Sequence, residues 1–124
     1  MPSKKVLIAE DSSVIQNLTR KILEAKDMEI TGVKNGKEVL KALQSGHYDV
    51  ILMDINMPQM DGMECARQIR LLEDPVKKNI PIIAITGNAR NYSQDDFAGA
   101  GINEYLQKPL DFDKLVDLVT KLTS

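Results

Sequence analysis

The chain has 124 residues, 43% of them hydrophobic and 27% charged, which suits one domain with a real core and excludes a disordered segment. Sixteen Lys and Arg against eighteen Asp and Glu leave a net charge of -2, so no broad attraction to nucleic acid or anionic lipid is expected. One cysteine, Cys65, and one histidine, His47, exclude an internal disulfide and a tetrahedral thiolate and imidazole zinc site.

Apolar runs such as Val50-Ile51-Leu52-Met53 fall far short of the roughly 18 residues that a membrane span needs. Met1-Pro2-Ser3-Lys4-Lys5 leads into a strand-like segment and not into a signal-peptide core. The expectation is a cytoplasmic, reducing setting without membrane insertion.

Val6 to Ala9 reads as the first strand, and the segment after it places Val14, Leu18, Ile22 and Leu23 on one helical face. Glu29 to Val33 reads as a weaker second strand. Gly36 opens a second helix with Val39, Leu40 and Leu43 inward, closed by Gly46 at a position that favours a left-handed cap. Asp49 to Asp54 is apolar on both faces, as a central strand covered by helices on either side should be. After Pro58 and Asp61-Gly62, the residues Met63, Ala66, Ile69, Arg70 and Leu72 predict a third helix ending before a Glu73-Asp74-Pro75 loop.

Ile80 to Ile85 predicts a fourth buried strand, with Pro81 tolerated near its start. Ala89 to Ala98 predicts a fourth helix, poorly amphipathic, anchored only by Tyr92 and Phe97 and expected to be the most mobile. Ile102 to Leu106 gives a fifth strand. Leu110, Leu115, Val116, Leu118, Val119 and Leu122 give a strongly patterned last helix. The alternation predicts an α/β fold: a three-layer, doubly wound (βα)5 domain over residues 1–124 with a five-stranded parallel sheet.

In such sheets ligands bind outside the carboxyl ends of the strands. Those ends carry Glu10 and Asp11, then Asp54, Thr86 and Lys108. Converging acids repel one another, and a like pair at ~4 Å costs on the order of 4 kcal/mol at the effective dielectric of a protein surface. A cation is required, and hard oxygens without a soft ligand favour Mg2+, with Mn2+ or Ca2+ as substitutes.

The same constellation resembles the receiver domain of two-component response regulators, the CheY-like family. The resemblance rests on Glu10-Asp11, Asp54, the Asn56-Met57-Pro58 and Asp61-Gly62 segment, Ile85-Thr86-Gly87, and Tyr105-Leu106-Gln107-Lys108-Pro109, in this order along the chain. It implies strand order 2-1-3-4-5. It implies that Asp54 accepts a phosphoryl group from a phosphohistidine on a histidine kinase or histidine phosphotransfer protein. Mg2+ would be held by Asp11, Asp54 and the carbonyl of Asn56, with Glu10 reaching it through water. Lys108, the Thr86 hydroxyl and the N–H of Gly87 would hold phosphoryl oxygens.

Further implications are a cis Lys108-Pro109 bond and a switch in which the Thr86 hydroxyl moves toward the phosphoryl group while Tyr105 turns inward. A downstream target would then read the surface of the fourth helix, fifth strand and fifth helix. Asn56 and Asn88 hold positions that in the family tune acyl-phosphate hydrolysis. The expected molecule is a monomer or a phosphorylation-dependent dimer, either free-standing or part of a larger regulator or hybrid kinase. It is a signalling phosphoacceptor that assists its own phosphorylation and dephosphorylation, not an enzyme acting on a separate substrate.

Plainer roles compete residue by residue. Asp11, Ser12 or Ser13 can cap the first helix, Tyr105 can be permanent core, and Met53, Met57, Met60 and Met63 suit packing better than a soft-metal site. A haloacid-dehalogenase-type phosphotransferase needs a second acid two residues after its nucleophile, where this chain has Asn56, whose amide is no proton donor. A flavodoxin-type cofactor site needs a phosphate cradle after the first strand, where Glu10 and Asp11 would repel it. A degenerate receiver acting only as a protein-binding scaffold is disfavoured by the presence of Asp54, Thr86 and Lys108.

Overall fold

A computed structural model describes residues 3–87 and 92–124. Five parallel strands, β1 (Lys5–Ala9), β2 (Glu29–Val33), β3 (Val50–Asp54), β4 (Ile82–Thr86) and β5 (Glu104–Gln107), form one sheet in the order β2-β1-β3-β4-β5. Among the described residues the helices are α1 (Ser13–Glu24), α2 (Gly36–Ser45), α3 (Gly62–Arg70), α4 (Pro75–Lys78), α5 (Gln94–Gly99) and α6 (Phe112–Thr123). The predicted fourth and fifth helices are thus α5 and α6. The start of the predicted fourth helix, from Ala89, and Asn88 before it lie outside the described residues.

Strand alternation splits the core into two layers. Leu7, Ala9, Ile51, Met53, Ile82 and Ala84 pack on one face with Val39, Leu43, Ala66, Ile69 and Phe97 from α2, α3 and α5. Val6, Ile8, Val50, Leu52, Ile83 and Ile85 pack on the other with Leu23 of α1 and Leu115 and Val119 of α6. The central strands β3 and β4 are buried at every position, while the edge strands β2 and β5 are not. This is the burial expected of a parallel sheet covered on both sides.

Several boundaries depart from the sequence expectation. Gly46 leaves α2 at φ -164, in extended backbone and not in a left-handed cap; its N–H still donates to the Ala42 carbonyl. The predicted Glu73-Asp74-Pro75 loop contains the start of α4, because Asp74 accepts from Val76 and Lys77 N–H and Pro75 stands in the first turn. β5 begins at Glu104 and not Ile102, because the Ile102 N–H closes back on the Phe97 carbonyl. Asn103 then makes the first link to β4 partly through its side chain, whose Oδ1 accepts the Ile82 N–H at 2.8 Å.

The predicted apolar face of α1 is the largest correction. Leu23 is buried as predicted, but Val14 is 78% and Leu18 48% exposed, and the helix buries Gln16 and Thr19 in their place. Counting apolar residues misses this face because two of its members are polar. Thr19 satisfies its hydroxyl on the Ile15 carbonyl, and Gln16 donates to carbonyls at the strand ends.

Candidate functional site

The topology reverses direction at the carboxyl ends of β1 and β3, since β2 lies on one side of β1 and β3 on the other. Glu10 and Asp11 follow β1 directly and Asp54 is the last residue of β3, so in-register pairing of these two strands brings the acids together. One carboxylate oxygen from each of Glu10, Asp11 and Asp54 lies within 4.8 Å of the others. Glu10 and Asp54 are buried and Asp11 is exposed, so the cluster opens to solvent through Asp11.

Local hydrogen bonds orient these acids. Glu10 accepts the Ser12 N–H at 3.1 Å, and Asp54 Oδ1 accepts the Asn56 N–H at 3.1 Å. Ser12 also caps α1 by accepting the Ile15 N–H, so this serine has the capping role that the sequence allowed. Asp54 sits beside a tight crossing. A Cβ on Gly62 would lie 2.6 Å from the Asp54 carbonyl oxygen and 2.9 Å from the Ile55 Cα, so the first turn of α3 approaches the site only as glycine.

Lys108 Nζ lies 3.4 Å from Glu10 Oε1 and 3.4 Å from Asp54 Oδ2. Its own N–H donates to the Thr86 carbonyl at 2.8 Å, so the end of β4 fixes the backbone from which the lysine reaches across. The following Lys108–Pro109 bond is cis. Burial pushes the Glu10 carboxyl up to about 7; nearby Asp54 adds to the shift, whereas the Ser12 N–H and Lys108 oppose it. Burial alone would lower the Lys108 pKa, but Asp54 and Glu10 outweigh it and hold the ammonium above its ordinary value.

Thr86 is fully buried at the end of β4, and Gly87 beyond it is exposed, with nothing within 4 Å of where its Cβ would stand. Tyr105 is 37% exposed, which removes the permanent-core reading; its ring stacks on Phe97 at 4.7 Å with planes 17° apart. Met53, Met57 and Met63 belong to the core, and Met60 packs against it. Cys65 is buried, with its thiol pushed up to about 12 by burial, and His47 is exposed. Gln16 reaches the acid pair without belonging to any motif. The one sequence signal for it is Gly32, a glycine inside a strand pattern, which marks close approach.

Three hard carboxylate oxygens gathered around one opening fit a divalent cation such as Mg2+, and the group contains no soft donor. This arrangement at a topological switch point defines an α/β domain of the flavodoxin-like and CheY-like fold with an acidic pocket at its strand ends. The model of the family described as response regulator receiver domain matches residues 6–120. The chain belongs to that family.

Among solved structures, the receiver domain of the sensor histidine kinase PA1611 from Pseudomonas aeruginosa is 30% identical, with a TM-score of 0.88 and 98% of each chain covered; it holds a magnesium ion in its active site cleft. The CAI-1 autoinducer sensor kinase/phosphatase CqsS of Vibrio cholerae is 36% identical over 116 residues, 94% of this chain but 17% of that protein. The polar-differentiation response regulator DivK of Brucella ovis is 29% identical over 117 residues and is covered to 94%, as is this chain. The chain therefore spans about a sixth of CqsS and nearly the whole of DivK. Among the described residues no helix is long and apolar enough to cross a membrane.

Proposed function

We propose that residues 1–124 act as one receiver unit that accepts a phosphoryl group on Asp54 from a phosphohistidine of a histidine kinase or histidine phosphotransfer protein. The observation that carries this reading is the meeting of Glu10, Asp11 and Asp54 within 4.8 Å, with Lys108 Nζ 3.4 Å from two of them. In the transfer, an Asp54 carboxylate oxygen bonds to phosphorus. The phosphorus–nitrogen bond to the donor imidazole breaks, and its electron pair returns to the ring nitrogen.

Asp11, Asp54 and the Asn56 carbonyl would hold Mg2+, with Glu10 acting through water; Mn2+ suits the same donors. The ion supplies neutralisation of the acids and of the incoming phosphoryl oxygens. Lys108 turns from the carboxylates to a phosphoryl oxygen, while the Thr86 hydroxyl and Gly87 N–H donate to others.

A donor of protein size is supported by the surface beside the pocket. A groove of about 270 Å3 next to Lys108 is lined by Ile15, Leu18, Pro109, Leu110 and Phe112, with Val14 exposed on the same helix. An apolar rim beside a reactive centre suits a macromolecular partner better than a small phosphodonor. On the far side of the pocket, Thr86 and the half-exposed Tyr105 couple the phosphoryl group to the α5, β5 and α6 surface, which a downstream protein reads. A swing from 1:99 to 99:1 on that surface needs about 5.5 kcal/mol of preference. The reading sets the domain in the cytosol, in keeping with its single, buried thiol.

The test is incubation with acetyl phosphate and Mg2+, followed by intact-mass measurement and mapping of the adduct. One phosphoryl adduct is expected, dependent on the divalent ion and lost in Asp54→Asn. Modification without metal, or an unchanged adduct in that variant, overturns the assignment.

A further inference from the structure

Between the acid pair and the edge strand lies a buried amide with no part in the chemistry above. Gln16, in the first turns of α1, is 8% exposed. Its Nε2 donates to carbonyls on two different segments, Glu10 at 3.1 Å and Val33 at 2.9 Å. The Glu10 N–H also donates to the Val33 carbonyl, at 3.0 Å, so the end of β2, Glu10 and the Gln16 amide close on one another. The β1–β2 ladder ends at Ala9 and Val33, and the Glu10 carbonyl lies one residue beyond its last pair. The backbone N–H of Gln16 donates to the Ser12 carbonyl at 3.0 Å. The Gln16 side chain thus holds the first residue of the Glu10-Asp11-Ser12 link, while the opening helical hydrogen bond of α1 holds the last.

Gly32 makes the seat for this side chain. A Cβ there would lie 2.4 Å from Gln16 Oε1 and 2.6 Å from Gln16 Cδ, closer than real side chains approach. Gly32 is absent from the positive-φ positions of the described chain, so what the site requires is room and not an unusual backbone. Gln16 reaches both carbonyls because residue 32 has no side chain.

We propose that Gln16 and Gly32 form a lock that holds the Glu10-Asp11 link in position for the divalent cation, which makes Gln16 a positioning residue of the site. The inference rests on reading the acid cluster as an Mg2+ site. Gathering like charges before the ion arrives is unfavourable, so affinity depends on how firmly the scaffold presents them. Asp11 is the exposed member of the cluster and depends most on its short link. Outer hydrogen bonds that orient metal ligands are typically worth about 10–100-fold in affinity.

Mg2+ alone is titrated into the full chain at fixed pH and ionic strength, with the amide resonances of Asp11 and Asn56 as the readout and thermal melting in EDTA as the folding control. Gln16→Met keeps length and volume but has no donor, and is expected to weaken Mg2+ about tenfold while still melting cooperatively. Gly32→Ala is expected to weaken it by a similar factor, because the new methyl displaces Gln16. In the Gln16→Ala background, adding Gly32→Ala is expected to cost little more, since the methyl enters the space the amide leaves and meets only the end of the flexible Arg20 side chain, whose Nη2 lies 3.0 Å from it. A merely structural role would shift melting without moving Mg2+ affinity. Wild-type affinity in Gln16→Met, or fully additive losses in the double variant, overturns the lock and leaves the Mg2+ reading standing. A wild-type chain that binds no Mg2+ overturns both.

Discussion

Glu10 carries two opposed demands, since burial favours its proton while Lys108 at 3.4 Å favours its charge. Burial prevails and its pKa rises from an ordinary 4.5 to about 7. A carboxyl whose pKa is higher folded than unfolded adds stability that is complete below the unfolded value and is lost as pH rises through the folded one. Metal-free protein in EDTA should therefore lose stability between pH 4.5 and pH 7, by a few kcal/mol, and Glu10→Gln should flatten that slope. Urea unfolding across this window measures it. Parallel slopes in the two proteins would remove the assignment. The Lys108 shift is upward from 10.5 and so acts only at alkaline pH, outside the window. Single residues at strand ends were legible in the sequence because an acid, a threonine or a lysine directly after an apolar run has few other places to be. Gln16 was not, because nothing in its immediate sequence separates a buried amide from the polar side of a helix. Its partner carbonyls belong to Glu10 and Val33, and the latter lies 17 residues away.

At the scale of elements, β3 and β4 were the most legible, since runs without alternation suit strands covered on both faces. The inward face of α1 escapes a count of apolar residues because two of its three buried residues are polar. α5 is short, Gln94–Gly99 among the described residues, and holds the core through Phe97. Its far end is tied down from another element. Arg70, the last residue of α3, donates from Nε to the Gly101 carbonyl at 2.9 Å, from Nη1 to the Lys78 carbonyl at 2.7 Å and from Nη2 to Asn103 Oδ1 at 3.1 Å. Asn103 Oδ1 is the group that also receives the Ile82 N–H, so one guanidinium joins α3, α4 and the entry to β5. Arg70→Ala is expected to cost about 1.5–3 kcal/mol, the range for hydrogen bonds to a charged group. Amide exchange at Ile82 and Asn103 should accelerate more than exchange in β1. Arg70→Lys should recover only part of this, because a point charge on a flexible stem does not span three acceptors. Uniform acceleration across the sheet would show that Arg70 supports the whole core and not this junction.

Over the whole molecule, the two core layers that make the sheet rigid also force a conflict at its carboxyl edge. In-register pairing of β1 with β3 delivers buried Glu10 and Asp54 to the same place. Lys108, with its side chain 28% exposed, stands against both carboxylates, which are 4% and 3% exposed. Removing one partner of a buried ion pair leaves the other charges uncompensated, at a cost of roughly 3 kcal/mol. Lys108→Ala in EDTA should accordingly melt about 10 °C lower than wild type, the shift such a loss gives in a domain of this size. Mg2+ places positive charge in the same pocket and should reverse most of that loss. At the same Mg2+ concentration the metal-induced stabilisation should therefore be larger in Lys108→Ala than in wild type, where it is about 2.7 kcal/mol when the ion stands at about 100 times the wild-type Kd. Calorimetry of the two proteins in EDTA and at one shared free Mg2+ concentration measures both increments. Equal increments would mean that the lysine and the ion do not offset the same charges, and the acid cluster would then be balanced from elsewhere in the fold.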